Sequence, residues 1–436
     1  MLAYLDNIVF ALLLAFGIGF FSRNIRKIIR NINLGKASSR SDQPLARWKN
    51  MAMIAMGQSR MVKRPVAGFL HLIVYIGFVI INIEVLEIII DGIAGTHRIF
   101  SFLGSFYYFL IGSFEILAFL VLLAVIFFWT RRNIQKIKRF WNPEMQGWPK
   151  NDANLILYIE AVLMLLFLTM NATDVPFQLA QHGNPISGWM APWFASFDAD
   201  TLHTIERAAW WLHIVGILFF LNYLYYSKHL HILLAFPNTY FANLKAYGQI
   251  NNLDSVTKEV ALMMDPTADP FAAAPESAAH AVPEKFGAAD VFDLTKIQLL
   301  NAYTCTECGR CTSVCPANQT GKKLSPRKIM MDTRDRLEAV GKNIDANRGK
   351  YIDDGKTLLN HYITAEEIWA CTTCNACVEA CPVNIDPLSI IVDLRRYLVM
   401  EQSAAPSDLN NMMSNIENNG APWPFNQMDR LNWKDL

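Results

Sequence analysis

The chain has 436 residues, of which 53% are hydrophobic, 12% aromatic and only 18% charged, with a formal net charge of +1. A balance this near zero says nothing by itself about partners; only its distribution does, and no nucleic acid is expected among them. The apolar excess is concentrated in a few long runs and exceeds what one soluble core requires.

From the N-terminus, five runs are long enough to cross a bilayer, which takes about 20 residues per helix. They predict membrane helices over 3–22, 67–90, 105–129, 153–171 and 206–228. The first lacks a basic start and an Ala-x-Ala-like site, and its positive charges follow it, so it reads as a retained span. Residues 23–66 carry eleven Lys/Arg and 130–152 carry six, whereas 91–104 carry only Arg98 and 172–204 carry none. Basic loops stay inside. The expected topology is therefore a multi-pass protein of a bacterial plasma membrane, N-terminus outside and everything after the fifth span cytoplasmic.

Ionisable groups inside spans cost about 3 kcal/mol each and mark function. His71 lies one to two turns into the second span and His213 near the outer end of the fifth, with His229 and His231 after its inner end. On an unbroken helix His213 and His231 are about 27 Å apart and share one face, while His229 is turned about 160° from it. A bis-histidine haem needs two imidazoles from facing helices at one depth. His71 and His231 satisfy this on the cytoplasmic side, with His229 and His213 as alternative ligands. A second haem requires His213 to meet His97, His182 or His203. Four acids also fall in spans: Glu84, Glu87, Glu115 and Glu160. Glu84, Glu115 and His213 share the outer half, where a carboxylate and imidazole group suits proton exchange with a quinone.

The first domain is read as 1–235. Residues 236–287 read as an interfacial segment and an Ala/Pro-rich linker, 288–400 as a helical two-cluster domain, and 401–436 as a tail. All eight cysteines lie in "CTECGRCTSVCP" and "CTTCNACVEACP". Each is a C-x2-C-x2-C-x3-C-P run, the bacterial dicluster spacing in which the fourth cysteine of one motif serves the other cluster. Cys305, Cys308, Cys311 and Cys381 are assigned to one 4Fe–4S cluster, and Cys371, Cys374, Cys377 and Cys315 to the other. Zinc would use only paired C-x2-C steps, and disulfides conflict with a cytoplasmic location. The fold class is mainly α: a five-helix transmembrane bundle followed by a cytoplasmic helical dicluster ferredoxin domain.

The span histidines and "SKHLHILLAFPN" resemble the cytochrome b subunit of respiratory nitrate reductase and the membrane subunit of heterodisulfide reductase. Two-haem members carry a second histidine on helix two, where this chain reads "FVIINIEVLE". Residues from about 288 onward resemble heterodisulfide reductases and membrane oxidoreductases serving electron-transfer flavoproteins. Fused relatives continue into CCG domains; this chain reads "NNGAPWPFNQMDRLNW" and has no ninth cysteine. The resemblance implies a membrane electron-transfer subunit linking a quinone pool, through haem b, to a cytoplasmic partner through two clusters. Its expected partners are a separate CCG-type iron–sulfur subunit, docked through the tail with Trp423 and Trp433 as anchors, and an electron-transfer flavoprotein. The alternatives are a membrane anchor for a nitrate- or sulfur-compound reductase, or a structural anchor whose clusters transfer nothing.

Overall fold

The computed structural model describes residues 4–267 and 285–435. Among them there is no β-strand, only isolated bridges pairing Lys36 with Thr295 and Leu359 with Ile363. Five long helices form the N-terminal half: α1 (Leu5–Ile32), α2 (Pro65–Ala94), α3 (Ser105–Asn133), α4 (Trp148–Thr173) and α5 (Ala199–Tyr223). All five are long and apolar enough to cross a membrane. Leu12, Phe16, Phe69, Phe78, Phe109 and Phe127 are exposed on their outer faces, an arrangement suited to lipid and costly in water. Local signals set the ends: Pro65 opens α2, Gly95 closes it at φ +73°, and the Asp198 side chain accepts a 2.9 Å bond from Thr201 N at the start of α5. Gly92 lets α2 approach α1, since a Cβ there would stand 2.6 Å from the Phe10 ring.

The predicted spans match these helices, but α1 continues to Ile32. At 1.5 Å per residue it is about 42 Å long, against about 30 Å of hydrocarbon. Its last turns, carrying Lys27 and Arg30, leave the apolar layer and grip the C-terminal half. Lys27 pairs with Asp345 at 2.9 Å, Arg30 donates to the Gly341 carbonyl at 3.1 Å, and Asn31 donates to the Tyr303 hydroxyl at 2.9 Å.

The fifth helix does not run unbroken to His231. It ends at Tyr223, passes a 3-10 turn (Leu224–Tyr226), is extended at Ser227 (φ −115°, ψ 146°) and makes a second 3-10 turn (Lys228–Leu230) before α6 (His231–Tyr240) begins. Asp152 holds the break, accepting from the Tyr223 hydroxyl at 2.5 Å and Lys228 N at 3.2 Å. The expected 27 Å rise and common face of His213 and His231 are therefore corrected: 100° per residue does not apply across an extended residue. Nor does the start of the expected interfacial segment lie loose on the surface. Ala235, Asn238 and Thr239 of α6 are buried, and Asn238 donates to the Val383 carbonyl at 2.7 Å. Of the expected linker, residues 268–284 lie outside the described residues.

The C-terminal half is built from α7 (Lys296–Thr304), α8 (Arg310–Val314), α9 (Pro326–Ala346), α10 (Ala376–Ala380), α11 (Pro387–Met400) and α12 (Ser407–Asn419). One apolar core runs from Ile28, Ile156, Phe220 and Leu224 of the bundle into Leu299, Ile329, Leu337 and Ile391. A second core, with Phe10, Ile81, Phe114, Phe167 and Ile214, fills the opposite end of the bundle.

Candidate metal centres

The two cysteine loops share one backbone design. Cys305 caps α7, Glu307 and Gly309 adopt left-handed φ of 53° and 70°, and α8 follows. In the second loop Thr373 and Asn375 repeat this at 55° and 60° before α10. Each pair of left-handed residues folds the loop back so that three thiols face inward, and α8 packs against α10. That contact brings each fourth cysteine to the opposite loop. Cys381 is an electrostatic neighbour of Cys305 and Cys308, and Cys315 of Cys371 and Cys377. Neighbours of this kind run between the two loops as well as within each of them.

Burial pushes Cys305 up to about 11 and Cys381 up to about 12, with backbone N–H groups opposing and nearby thiols adding to the effect. Thiols so disfavoured as free anions would give up their protons to solvent when a Lewis acid takes the sulfur lone pair, which cluster iron would do if bound. Thr373 N lies 3.4 Å from Cys371 Sγ and Ile385 N 3.3 Å from Cys381 Sγ, so amides already face the sulfurs. Among the described residues no three His, Cys, Asp or Glu converge closely enough for a single metal ion. Zinc needs four ligands within about 2.3 Å of one point, whereas a cubane spreads its thiolates around its corners. The donor set fits two 4Fe–4S clusters. Cys305 and Cys381 are buried, while Cys374 of the second quartet is exposed.

The first quartet is pressed against the bundle. Arg310 donates to the carbonyls of Arg60 and Met61 at 3.0 and 3.1 Å, and Arg64 donates to Ser313 Oγ at 2.8 Å. Glu307, between Cys305 and Cys308, bonds Lys228 and, at 2.8 Å, Arg334. Burial alone would raise Glu307, but these two cations hold it below the ordinary carboxylate value. Nothing in the sequence periodicity marked this triad.

Beside it lies a cavity of about 200 Å³ lined by His229, His231, Lys228, Arg131, Arg132, Arg139 and Thr306 together with apolar side chains. The His231 Nδ1 lies 3.0 Å from the Lys228 carbonyl, an arrangement that commits Nδ1–H and leaves Nε2 free. The His229 ring centroid is 5.4 Å from that of His231, and His229 Nε2 lies 3.8 Å from Glu160 Oε1. Burial holds His229 well below its ordinary value, and the neighbouring His231 and His71 add repulsion. His71 Nδ1 is itself buried without a partner. The three imidazoles lie within electrostatic reach of one another.

No carboxylate bonds Arg131, Arg132 or Arg139 among the described residues, and the Nε atoms of Arg132 and Arg139 are buried without partners. Burial and repulsion from Arg64 bring Arg139 down to about 10. A haem carries two carboxylates and takes two neutral imidazoles, so unpaired arginines beside free imidazole nitrogens fit it. Sequence reading counted these arginines only as topology signals.

At the opposite end of the bundle the polar residues sort differently than expected. Glu115 accepts from Asn171 Nδ2 and from the amides of Ile186 and Ser187 at 2.9–3.0 Å, which commits both its oxygens to pinning a loop. Glu87 accepts from Phe100 N at 2.9 Å and the Tyr107 hydroxyl at 3.1 Å. Glu84 and His213 do meet, at 3.9 Å. No second imidazole joins His213: His97 pairs with Asp174, His182 packs on Tyr108 and His203 is exposed. The described residues hold no second bis-histidine site.

Residues 304–385 match a family described as a 4Fe-4S dicluster domain. This chain carries a 4Fe–4S dicluster domain. Over 99% of its length it is 29% identical to a probable iron–sulfur-binding oxidoreductase, FadF, of Bacillus subtilis, covering 61% of that protein. It is 26% identical over 91% of its length to EtfAB:quinone oxidoreductase of Syntrophomonas wolfei, covering 55% of it. A probable membrane-anchored ferredoxin of Chromohalobacter salexigens is 35% identical over 32% of the chain, covering 23% of that protein. Heterodisulfide reductase subunits also match across the dicluster region. The chain thus spans less than two thirds of the curated relatives it resembles along its length. No solved structure matches it. The dicluster domain follows five helices long and apolar enough to cross a membrane.

Proposed function

We propose that the chain passes electrons between a membrane quinone pool and a soluble redox partner, using haem b held by His71 and His231 and the two clusters of the dicluster domain. One observation carries this reading: Thr306, inside the first cysteine loop, lines the same cavity as His229 and His231. The imidazole site and the first quartet share a wall. When bound, haem and clusters supply one-electron transfer between centres. The chain's own part is to hold His231 by its Nδ1–H, to offer Arg131, Arg132 and Arg139 to the haem carboxylates, and to keep water from the buried thiolates.

The basic loops 23–66 and 130–152 adjoin the dicluster domain through Arg60, Arg64 and Arg139, which supports placing that domain in the cytoplasm. The printed name of the Syntrophomonas wolfei relative supports quinone on the membrane side and an electron-transfer flavoprotein on the soluble side. Exposure of Cys374 supports the second cluster as the point of contact, and exposed Trp423 and Trp433 support the tail as a docking element for a CCG-type iron–sulfur subunit.

Anaerobically purified protein reduced with dithionite is expected to show a low-spin b-type spectrum. His71→Ala or His231→Ala should abolish it, and His229→Ala should leave it. Wild-type protein without haem, or a spectrum indifferent to His71 and His231, overturns the assignment.

A further inference from the structure

Glu84 and His213 are 3% and 1% exposed; neither Glu84 oxygen has a hydrogen-bond partner, and the His213 ring has only the Leu163 backbone beside it, in no well-formed bond. Polar groups left this bare in an apolar interior are costly, so their retention calls for a role. The Nε2 to Oε2 separation of 3.9 Å makes the two groups neighbours and is too long for a hydrogen bond between them.

Glu84 also lines a cavity of about 30 Å³ that runs to the end of the bundle opposite the dicluster domain. A cavity needs about 10–15 Å³ to hold a water, and the water needs polar neighbours. Here those neighbours include Glu87, Arg98, Asn171, Asp174 and His97. The space admits water and excludes a quinone ring. At its rim Asp174 accepts from Arg98 at 2.7 Å and faces His97 at 3.3 Å, and His97 is 51% exposed. Burial would raise Asp174, but the bonds from His97 and Arg98 hold it well below the usual carboxylate range. Glu206, bonded to Arg207, completes the charged wall on α5.

We infer that Glu84 is a neutral carboxylic acid beside a neutral His213, and that its proton exchanges through this hydrated cavity with solvent at His97, on the face opposite the clusters. The neutral pair carries no net or separated charge, the form a water-poor interior tolerates best. Loss of the proton leaves a single negative charge on the pair and delivers H⁺ to cavity water, then to the Asp174 and His97 rim. Arg98 cannot be the carrier, because its guanidinium stays protonated; it sets the field along the path. The exchangeable proton stands on this geometry alone. Its use in quinone chemistry, where protons accompany electrons, rests on the function proposed above.

The test is infrared spectroscopy of the full-length protein in lipid nanodiscs, following the protonated-carboxyl C=O band on transfer from H₂O to D₂O. Wild-type protein should show a band that shifts while the backbone amides of α2 remain protonated. Glu84→Gln should delete the band, with both cluster signals unchanged as the control for folding. Should that variant fail to assemble, Glu84→Asp should move the band without removing it. His97→Leu should slow the shift. The inference is overturned if wild-type protein has no such band, if Glu84→Gln retains it, if it never shifts in D₂O, or if His97→Leu leaves the exchange rate unchanged.

Discussion

Gly309 and Asn375 stand at equivalent places in the two cysteine loops, and both need a left-handed backbone. Glycine and asparagine adopt it at least cost, so the same turn recurs from different residues. At Gly309 the requirement is doubled, because a Cβ would stand 2.5 Å from Arg327 Nη1. The turn aims three thiols inward and leaves the fourth corner to the other loop. Replacing Cys315 with Ser should therefore remove the cluster held mainly by Cys371, Cys374 and Cys377 while sparing that of its own motif. Non-haem iron and labile sulfide should each fall from about eight to about four per chain, since each cubane holds four. Retention of both clusters, or loss of the first alone, would show that the ligands are not exchanged.

The break after α5 has more consequence than any helix. By ending at Tyr223 and restarting at His231, the chain turns Lys228 toward Glu307 and sets His229 and His231 side by side. Lys228, Glu307 and Arg334 are all largely buried. Removing Glu307 would leave Lys228 with only Asp152, at 3.8 Å, and Arg334 with only the exposed Asp335, at 3.3 Å; breaking a buried pair costs up to about 3–5 kcal/mol, and these second partners lessen it. Glu307→Gln should therefore lower the thermal midpoint of the purified protein and speed proteolytic release of the dicluster domain, whereas Lys323→Ala should not. Lys323 pairs with Glu366 on the surface, where such pairs contribute about 0–1 kcal/mol. Equal effects of the two substitutions would remove the argument.

The bundle has two chemically distinct ends. One carries the basic loops, the histidine cavity and the dicluster domain; the other carries Arg98, Asp174 and the Glu84–His213 pair. On the proposed topology, a fluorescent reporter fused after residue 435 should fold in the cytoplasm, and a periplasm-dependent phosphatase fused before residue 4 should be active. The reverse pattern would invert the orientation. The tail presents Phe425, Met428, Leu431 and Trp433 to solvent, and α12 has no buried residue. Deleting residues 405–435 should leave cluster and haem spectra intact while abolishing co-purification of the soluble partner. A shortened chain that still holds its partner would exclude the tail as the dock.

The dicluster domain was legible from spacing because cubane ligation is local chemistry: three thiolates must come from one short loop, and the Cys-Pro step marks the fourth. The five apolar helices were legible because bilayer thickness sets their length. What could not be read was anything that depends on how two distant segments rotate against each other. Glu84 and Glu115 looked alike in sequence, yet packing spends Glu115 on the amides of Ile186 and Ser187 and leaves Glu84 facing His213. Helical phase could not rank His229 against His231, because a single extended residue at Ser227 resets the phase and is held there by Asp152, some 75 positions away. Arginines counted as inside charges proved to be unpaired cations at a cavity. Periodicity fixes which face a residue occupies on its own helix, but only the packed partner determines what that face meets.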